Sequence, residues 1–329
     1  MIETISAIDS KTDYIMVRKN LSMRYIISKP QSSAPNGTIL LLQGYGKQVE
    51  DYQSSIHKLA VRGFFTICPD FIGQGKSDKL RGDKWGGHVK DYRRFIDDLD
   101  ILFTKIILES LPAPYYILGD DMGAIIALTA HDLFAGKIRR QILVSPPLTP
   151  SNHSNNSFFH KFCRILSDSG LGRIRITRPL LSTKELPEAP DSEDSTAIIH
   201  NNRRAYPSLG WYSTMLDAIG YIGSSHYIDN MTIPTLVYQP NQDNFSSSPK
   251  NREFVSRLRM AQLIDLRGAP HDILASEEKF TRQFWQGFSA FITGSSFMPN
   301  FKQKNESYNS IAATNSIDSG DTMLKITAQ

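Results

Sequence analysis

Residues Pro114–Leu128 read PYYILGDDMGAIIAL. Tyr115–Leu118 is a short apolar run closed by glycine, which predicts a buried strand. Ala124–Ala130 is apolar and rich in helix formers, which predicts the start of a buried helix. Between them stands Gly119-Asp120-Asp121-Met122-Gly123. Glycines two residues either side of a central residue suit a bend so sharp that strand and helix backbones leave no room for a Cβ. The stretch therefore predicts strand, strained turn and helix, with Asp121 at the tip.

On the N-terminal side, Thr12–Lys29 alternates loosely around Lys19-Asn20 and predicts an antiparallel hairpin at a sheet edge. Ser32–Gly37 is a loop. Thr38–Leu42 (TILLL) and Phe64–Cys68 are continuous apolar runs, predicted as buried strands, with helical spacing over Asp51–Arg62 between them. The second strand runs into a turn-rich loop, Pro69–Ser77. His88–Leu108 is amphipathic through Tyr92, Phe95, Ile96, Leu99, Leu102, Phe103 and Ile106; Asp97, Asp98 and Asp100 read as a solvated helix face rather than a metal cluster. After the bend, Gln141–Ser145 reads as a strand. Alternation resumes at Thr235–Gln239 (strand), Lys250–Leu258 (helix), Gln262–Leu266 (strand) and Glu277–Ile292, a helix with Phe280, Phe284, Phe288 and Phe291 on its buried side.

Strands alternating with helices predict an α/β fold: a mostly parallel sheet with helices on both faces. Residues 1–150 and 231–294 form the core. Residues 151–230 are polar, helical in places and lack a strong strand, so they read as an inserted helical cap over the carboxyl ends of the strands. From Ser295 to Gln329 the composition turns to Ser, Asn, Thr and charge, as expected of a disordered tail.

The chain has 329 residues, 40% of them hydrophobic, and a net charge of +4, which does not demand nucleic acid. Its two cysteines, Cys68 and Cys163, make neither a disulfide framework nor a metal spacing. Neither a metal nor another cofactor is expected. The first residues, with Glu3, Asp9, Lys11 and Asp13, do not read as a signal peptide, and no run is long enough to span a bilayer, so a cytoplasmic location is the default expectation.

Strand, sharp turn and helix with this glycine spacing is the nucleophile elbow of α/β-hydrolases, whose triad partners follow in the order nucleophile, acid, histidine. After Asp121 the candidates are Asp243, just past the strand Thr235–Gln239, and His271, in the Gly/Pro loop past Gln262–Leu266. Both fall on the edge of the sheet that carries the elbow. His57, His131, His153, His160, His200 and His226 lack that context, and His88 reads as a helix cap. The backbone N–H groups of Tyr45 and Met122 are the candidates for an oxyanion hole.

The chain resembles the lysophospholipase and monoacylglycerol-lipase branch of the α/β-hydrolases. The resemblance rests on Gln43–Tyr52 (QGYGKQVEDY) for that branch's HG-x-x-E-H and on Leu59–Asp78 for its D-x-x-G-x-G-x-S loop. It extends to His88–Asp100, GDDMGA for GHSMGG, the Asp243 and His271 segments, and Arg204–Ala218, which resembles a cap segment of bacterial lysophospholipases. In all it covers about Asp13 to Thr293. Gln43 stands where the branch has histidine, Asp120 replaces the elbow histidine and Asp121 replaces the serine.

The resemblance implies a hydrolase acting on a hydrophobic or lipid-like substrate. A carboxylate at the elbow implies different chemistry: displacement at a saturated carbon, as in the haloalkane dehalogenases and epoxide hydrolases of the same superfamily, then hydrolysis of the enzyme ester by water that His271 activates. Dehalogenases carry tryptophan after the nucleophile, where this chain has Met122. Epoxide hydrolases use cap tyrosines; here Tyr206, Tyr212, Tyr221 and Tyr227 are available, though packing is the commoner use of such residues. Tyr206, Trp211 and Tyr212 are the cap candidates for the site. If Asp120 lay close to Asp121, the like charges would raise one pKa and weaken the nucleophile. The basic stretch of the cap (Lys161, Arg164, Arg173, Arg175, Arg178, Lys184), followed by an acidic run, suits either peripheral contact with an anionic membrane or a solvated surface with internal ion pairs. The rival to an active hydrolase is a binding protein of the same fold that has lost catalysis.

Overall fold

Eight strands form one sheet: β1 (Ser10–Arg18), β2 (Leu21–Ser28), β3 (Thr38–Leu42), β4 (Phe65–Pro69), β5 (Tyr115–Asp120), β6 (Ile138–Val144), β7 (Thr235–Gln242) and β8 (Ala261–Pro270). Their spatial order is β1-β2-β4-β3-β5-β6-β7-β8. This is a computed structural model, and it describes residues 9–83, 86–148, 157–175, 207–242 and 248–294. β1 and β2 pair antiparallel, with Asn20 at φ 58° in the turn, and β2 joins β4 antiparallel. From β4 to β8 every pairing is parallel. The sheet is thus the mostly parallel α/β sheet expected of the fold.

The α-helices of six or more residues among those described are α1 (Gln53–Val61), α2 (Arg93–Leu102), α3 (Met122–Thr129), α4 (Ser157–Leu166), α5 (Leu209–Ile222), α6 (Ser225–Asn230), α7 (Ser248–Arg257) and α8 (Glu278–Thr293). Strand residues alternate between the two faces of the sheet. Leu40, Leu42, Ile117, Leu143 and Val237 join one cluster with Phe95 and Leu99 of α2, Ile125 of α3 and Met215 of α5. On the other face, Phe64 meets Tyr116 and Phe288 edge-on, and Tyr238 meets Phe284 of α8. The apolar stripe read on the last helix is core: Phe280, Phe284 and Phe288 are buried, while Phe291 is half-buried. The chain divides into two units, Met1–Phe288 and Ser289–Gln329. Of the second, residues 295–329 lie outside the described residues, and with them the expected tail.

Two expectations for the His88–Leu108 stretch are corrected. The helix begins at Arg93, not His88, and passes through a wider π-helical turn at Phe103–Ile107. His88 therefore caps nothing: it is buried, its N–H donates to Asp83 Oδ2 at 2.9 Å, and its Nδ1 lies 3.2 Å from Ser208 Oγ. Asp98 is not solvated. It sits on the same side of α2 as Phe95 and Leu99, is buried, and receives Arg18 at 2.7 Å. Burial pushes its carboxyl up to about 6 despite Arg18. Among the described residues, no helix is long and apolar enough to cross a membrane, and no cluster of His, Cys, Asp and Glu could hold a metal ion.

Candidate active site

β5 ends at Asp120 and α3 begins at Met122, so the direction of the chain reverses within one residue. That residue, Asp121, has φ 48° and ψ −113°, a strained backbone for a non-glycine residue. The flanking glycines are obligatory. A Cβ on Gly123 would lie 2.2 Å from the carbonyl oxygen of Leu42, and one on Gly119 would lie 2.8 Å from Ala124 Cα. The bend pushes the Asp121 side chain out past the carboxyl ends of β3, β5 and β6.

The two carboxylate oxygens of Asp121 have different neighbours. Oδ2 accepts the backbone N–H of Tyr45 at 2.9 Å, and the N–H of Met122 also donates to this carboxylate. Oδ1 lies 3.4 Å from His271 Nε2. Burial pushes the Asp121 carboxyl up, but the hydrogen bond and charge of His271, with the two N–H donors, outweigh it and hold the acid below its ordinary range. The group is an anion at neutral pH.

His271 is carried on the loop after β8. Ser145, at the end of the neighbouring strand β6, takes φ 50° and donates its hydroxyl to the carbonyl of His271 at 2.5 Å. Apart from the turn residue Asn20, Asp121 and Ser145 are the non-glycine residues at positive φ among those described, and both face this site. Asp243 and Tyr206 lie outside the described residues, as do Arg178, Lys184 and the acidic run after them.

The loop 43–47 forms one wall. Gly46 N–H donates to Gln74 Oε1 at 2.8 Å, and the Gln74 amide reaches Met122 Sδ at 3.6 Å. Gln74 is held there because the loop after β4 folds around buried Asp70, which accepts the N–H groups of Val49 and Lys76 at 2.9 Å each. The other wall comes from α5. The Trp211 indole N–H points at Met122 Sδ, 3.3 Å away, and its ring lies 4.1 Å from that of Tyr45. Arg175 reaches the Tyr45 hydroxyl at 3.3 Å. Tyr212, the next residue of α5, packs instead against Cys163 and Leu209. Of the two cap candidates among the described residues, then, Trp211 reaches the elbow.

Residues 33–279 match the family described as serine aminopeptidase S33. The chain belongs to that family of α/β-hydrolases. A probable lysophospholipase L2 of Haemophilus influenzae is 19% identical over 290 residues, covering 85% of this chain and 91% of the relative. A carboxyl esterase from Bacillus coagulans superposes with a TM-score of 0.69 at 20% identity, over 87% of this chain and 98% of its own. A soluble variant of monoglyceride lipase from Saccharomyces cerevisiae gives 0.67 at 16% identity, over 88% and 97%. These likenesses bear out the α/β-hydrolase fold and the lysophospholipase and lipase-like branch.

The S33 family is named for serine, whereas this member carries Asp121 at the tip of the elbow. Sequence reasoning missed four side chains at the site: Lys47, Tyr52, Gln74 and Ser145. Lys47, Tyr52 and Gln74 lie inside the two loops that carried the resemblance, so their place was visible. Their partners were not, because each contact bridges segments far apart in the chain. Ser145 could have been noticed as a polar residue closing a buried strand beside the elbow.

Proposed function

We propose that this protein is a hydrolase of hydrophobic, lipid-like substrates in which Asp121 is the nucleophile, His271 the base and Asp243 its orienting acid. The supporting observation is the division of labour at the Asp121 carboxylate: Oδ2 meets the Tyr45 N–H, Oδ1 is directed to the imidazole, and the Met122 N–H also donates to the group. With Tyr45 and Met122 already serving the carboxylate, an ester carbonyl has no hole to occupy, which disfavours serine-type acyl transfer. The same arrangement suits attack at a saturated carbon bearing a halide or epoxide oxygen. Oδ1 supplies an electron pair, the carbon–halogen or carbon–oxygen bond breaks, and its electrons leave with the halide or alkoxide. Water then attacks Cγ of Asp121 and gives its proton to His271. The negative charge that develops falls on Oδ2, which the Tyr45 N–H already meets. Collapse expels the alkoxide, His271 protonates it to the alcohol, and the carboxyl left on Asp121 loses its proton to solvent; for an epoxide, solvent supplies the proton taken up by the ring-opened oxygen. Tyr45 and Trp211 supply an apolar wall.

The relatives are named for lysophospholipids and monoglycerides, which supports a lipid-like substrate. Peripheral membrane contact belongs to the same reading. Phe162, Ile165, Leu171 and Ile174 are exposed beside Arg164 and Arg173 on the segment from α4 to Arg175. Co-sedimentation with anionic vesicles is expected to fall when Ile165 and Ile174 become aspartate; binding that does not change removes this part of the proposal.

One observation favours the rival, non-catalytic reading: the site's donors are satisfied without a ligand. Single turnover in heavy-oxygen water decides between them. Label is expected in the Asp121 peptide, because the product oxygen comes from Oδ1 and water restores the carboxylate. Turnover without label points to direct attack by water, and no turnover on epoxides, halides or esters supports the binding protein.

A further inference from the structure

Behind the elbow lies a buried polar cluster that these steps do not use. Lys47 Nζ donates to Asp120 Oδ2 at 2.7 Å and to Asp272 Oδ1 at 2.7 Å. Tyr52 donates its hydroxyl hydrogen to the same Asp120 oxygen at 2.7 Å and accepts the N–H of Gly44 at 2.8 Å. The Lys47 and Asp120 side chains are only 7% and 2% exposed, whereas Asp272 is 41% exposed. One ammonium thus touches the acid immediately before Asp121 and the acid immediately after His271.

Asp120 and Asp121 are adjacent carboxylates with little access to water. Left to themselves they would share a proton, and a protonated Asp121 cannot attack. The arrangement separates them: Asp121 faces Tyr45 and His271, while Asp120 turns to Lys47 and Tyr52. Burial alone would pull the Lys47 ammonium down, but Asp120 and Asp272 outweigh it and raise it, so its charge is permanent. A buried ion pair is poor evidence for stability, since desolvation cancels most of the attraction. A role in the site is the better account. The motifs the chain resembles agree with this: in HG-x-x-E-H and GHSMGG, the positions of Lys47 and Asp120 carry glutamate and histidine. Acid and base have changed places between the two positions, and in this chain they form an ion pair.

We propose that Lys47 is a positioning residue that neutralises Asp120 and braces the Asp272 end of the histidine loop, so that the elbow presents a single reactive carboxylate. This rests on the reading of Asp121 as nucleophile, but its test needs no turnover. The histidine ring signals of the full chain are titrated by NMR, with the His271 signal assigned by its loss in His271→Gln. In Lys47→Met the uncompensated acids are expected to raise the His271 midpoint by roughly half a pH unit or more. Lys47→Arg should leave it in place, and Lys47→Met/Asp120→Asn should return it towards the parent value. A folded Lys47→Met with an unmoved midpoint, or a double variant as displaced as Lys47→Met alone, overturns the proposal. Should Lys47→Met fail to fold, Asp120→Asn carries the test: its His271 midpoint must fall, and an unchanged one overturns the proposal. A failed labelling experiment with these shifts present would remove the nucleophile and leave the charge network standing.

Discussion

Asp121→Asn is expected to lose turnover by about 10⁴-fold or more while keeping its fold. Asparagine suits the test because it tolerates positive φ better than most residues and retains a carbonyl oxygen for the Tyr45 N–H. What it loses is the negative Oδ1 that would make the bond to carbon. A general structural defect would lower thermal stability along with activity, so circular dichroism and unfolding curves run beside the rate measurements. Retention of more than about a tenth of the parent rate would mean that water, not Asp121, attacks the substrate. The Asp121→Ser variant asks the complementary question. Shortening the side chain frees the N–H groups of Tyr45 and Met122 for an ester oxyanion. Esterase activity in that variant would show that the pocket around residue 121 supports serine-type chemistry.

The second large effect concerns His271. His271→Gln should allow the first displacement and block the second step, because no base remains to take the proton of the attacking water. The expected result is one equivalent of product-side halide or opened epoxide per enzyme, then a stall, with the Asp121 peptide heavier by the bound alkyl group. Turnover should fall by about 10³-fold or more, with the burst preserved. The pH dependence has a worked sign. The Asp121 carboxyl lies below its ordinary range, so this anion, and the stability its contacts contribute, are complete above the unfolded-state value and are lost as pH falls through the folded one. A His271→Gln variant with neither burst nor adduct, still folded, would rule out the covalent route.

The elbow shows why part of this was legible from residues alone. A Cβ on Gly119 would come within 3 Å of Ala124, a local constraint that leaves a local signature, whereas Gly123 is demanded by the approach of Leu42 from β3. The apolar runs of β3, β4 and β5 are equally plain, since strands buried on both faces need apolar residues throughout. The place of His271 beside Asp121 could be read from its position after a strand in a Gly/Pro loop. Asp98 misled because three acids near one another look like a solvated face; what buries it is Arg18, eighty positions away in β1. His88 misled because the helical spacing runs past the true start of α2 into an irregular segment pinned by Asp83.

The amino-acid sequence alone determined the alternation that makes the sheet, the bend between β5 and α3, and the acid at its tip, because spacing and residue size dictate these over a few neighbouring positions. Only the tertiary structure decided what that acid faces. Which oxygen of Asp121 meets an N–H and which meets the imidazole, and whether Asp120 burdens its neighbour or is neutralised by Lys47, depends on loops brought together from the ends of different strands. Electrostatic energy follows distance in space, and distance along the chain does not record it.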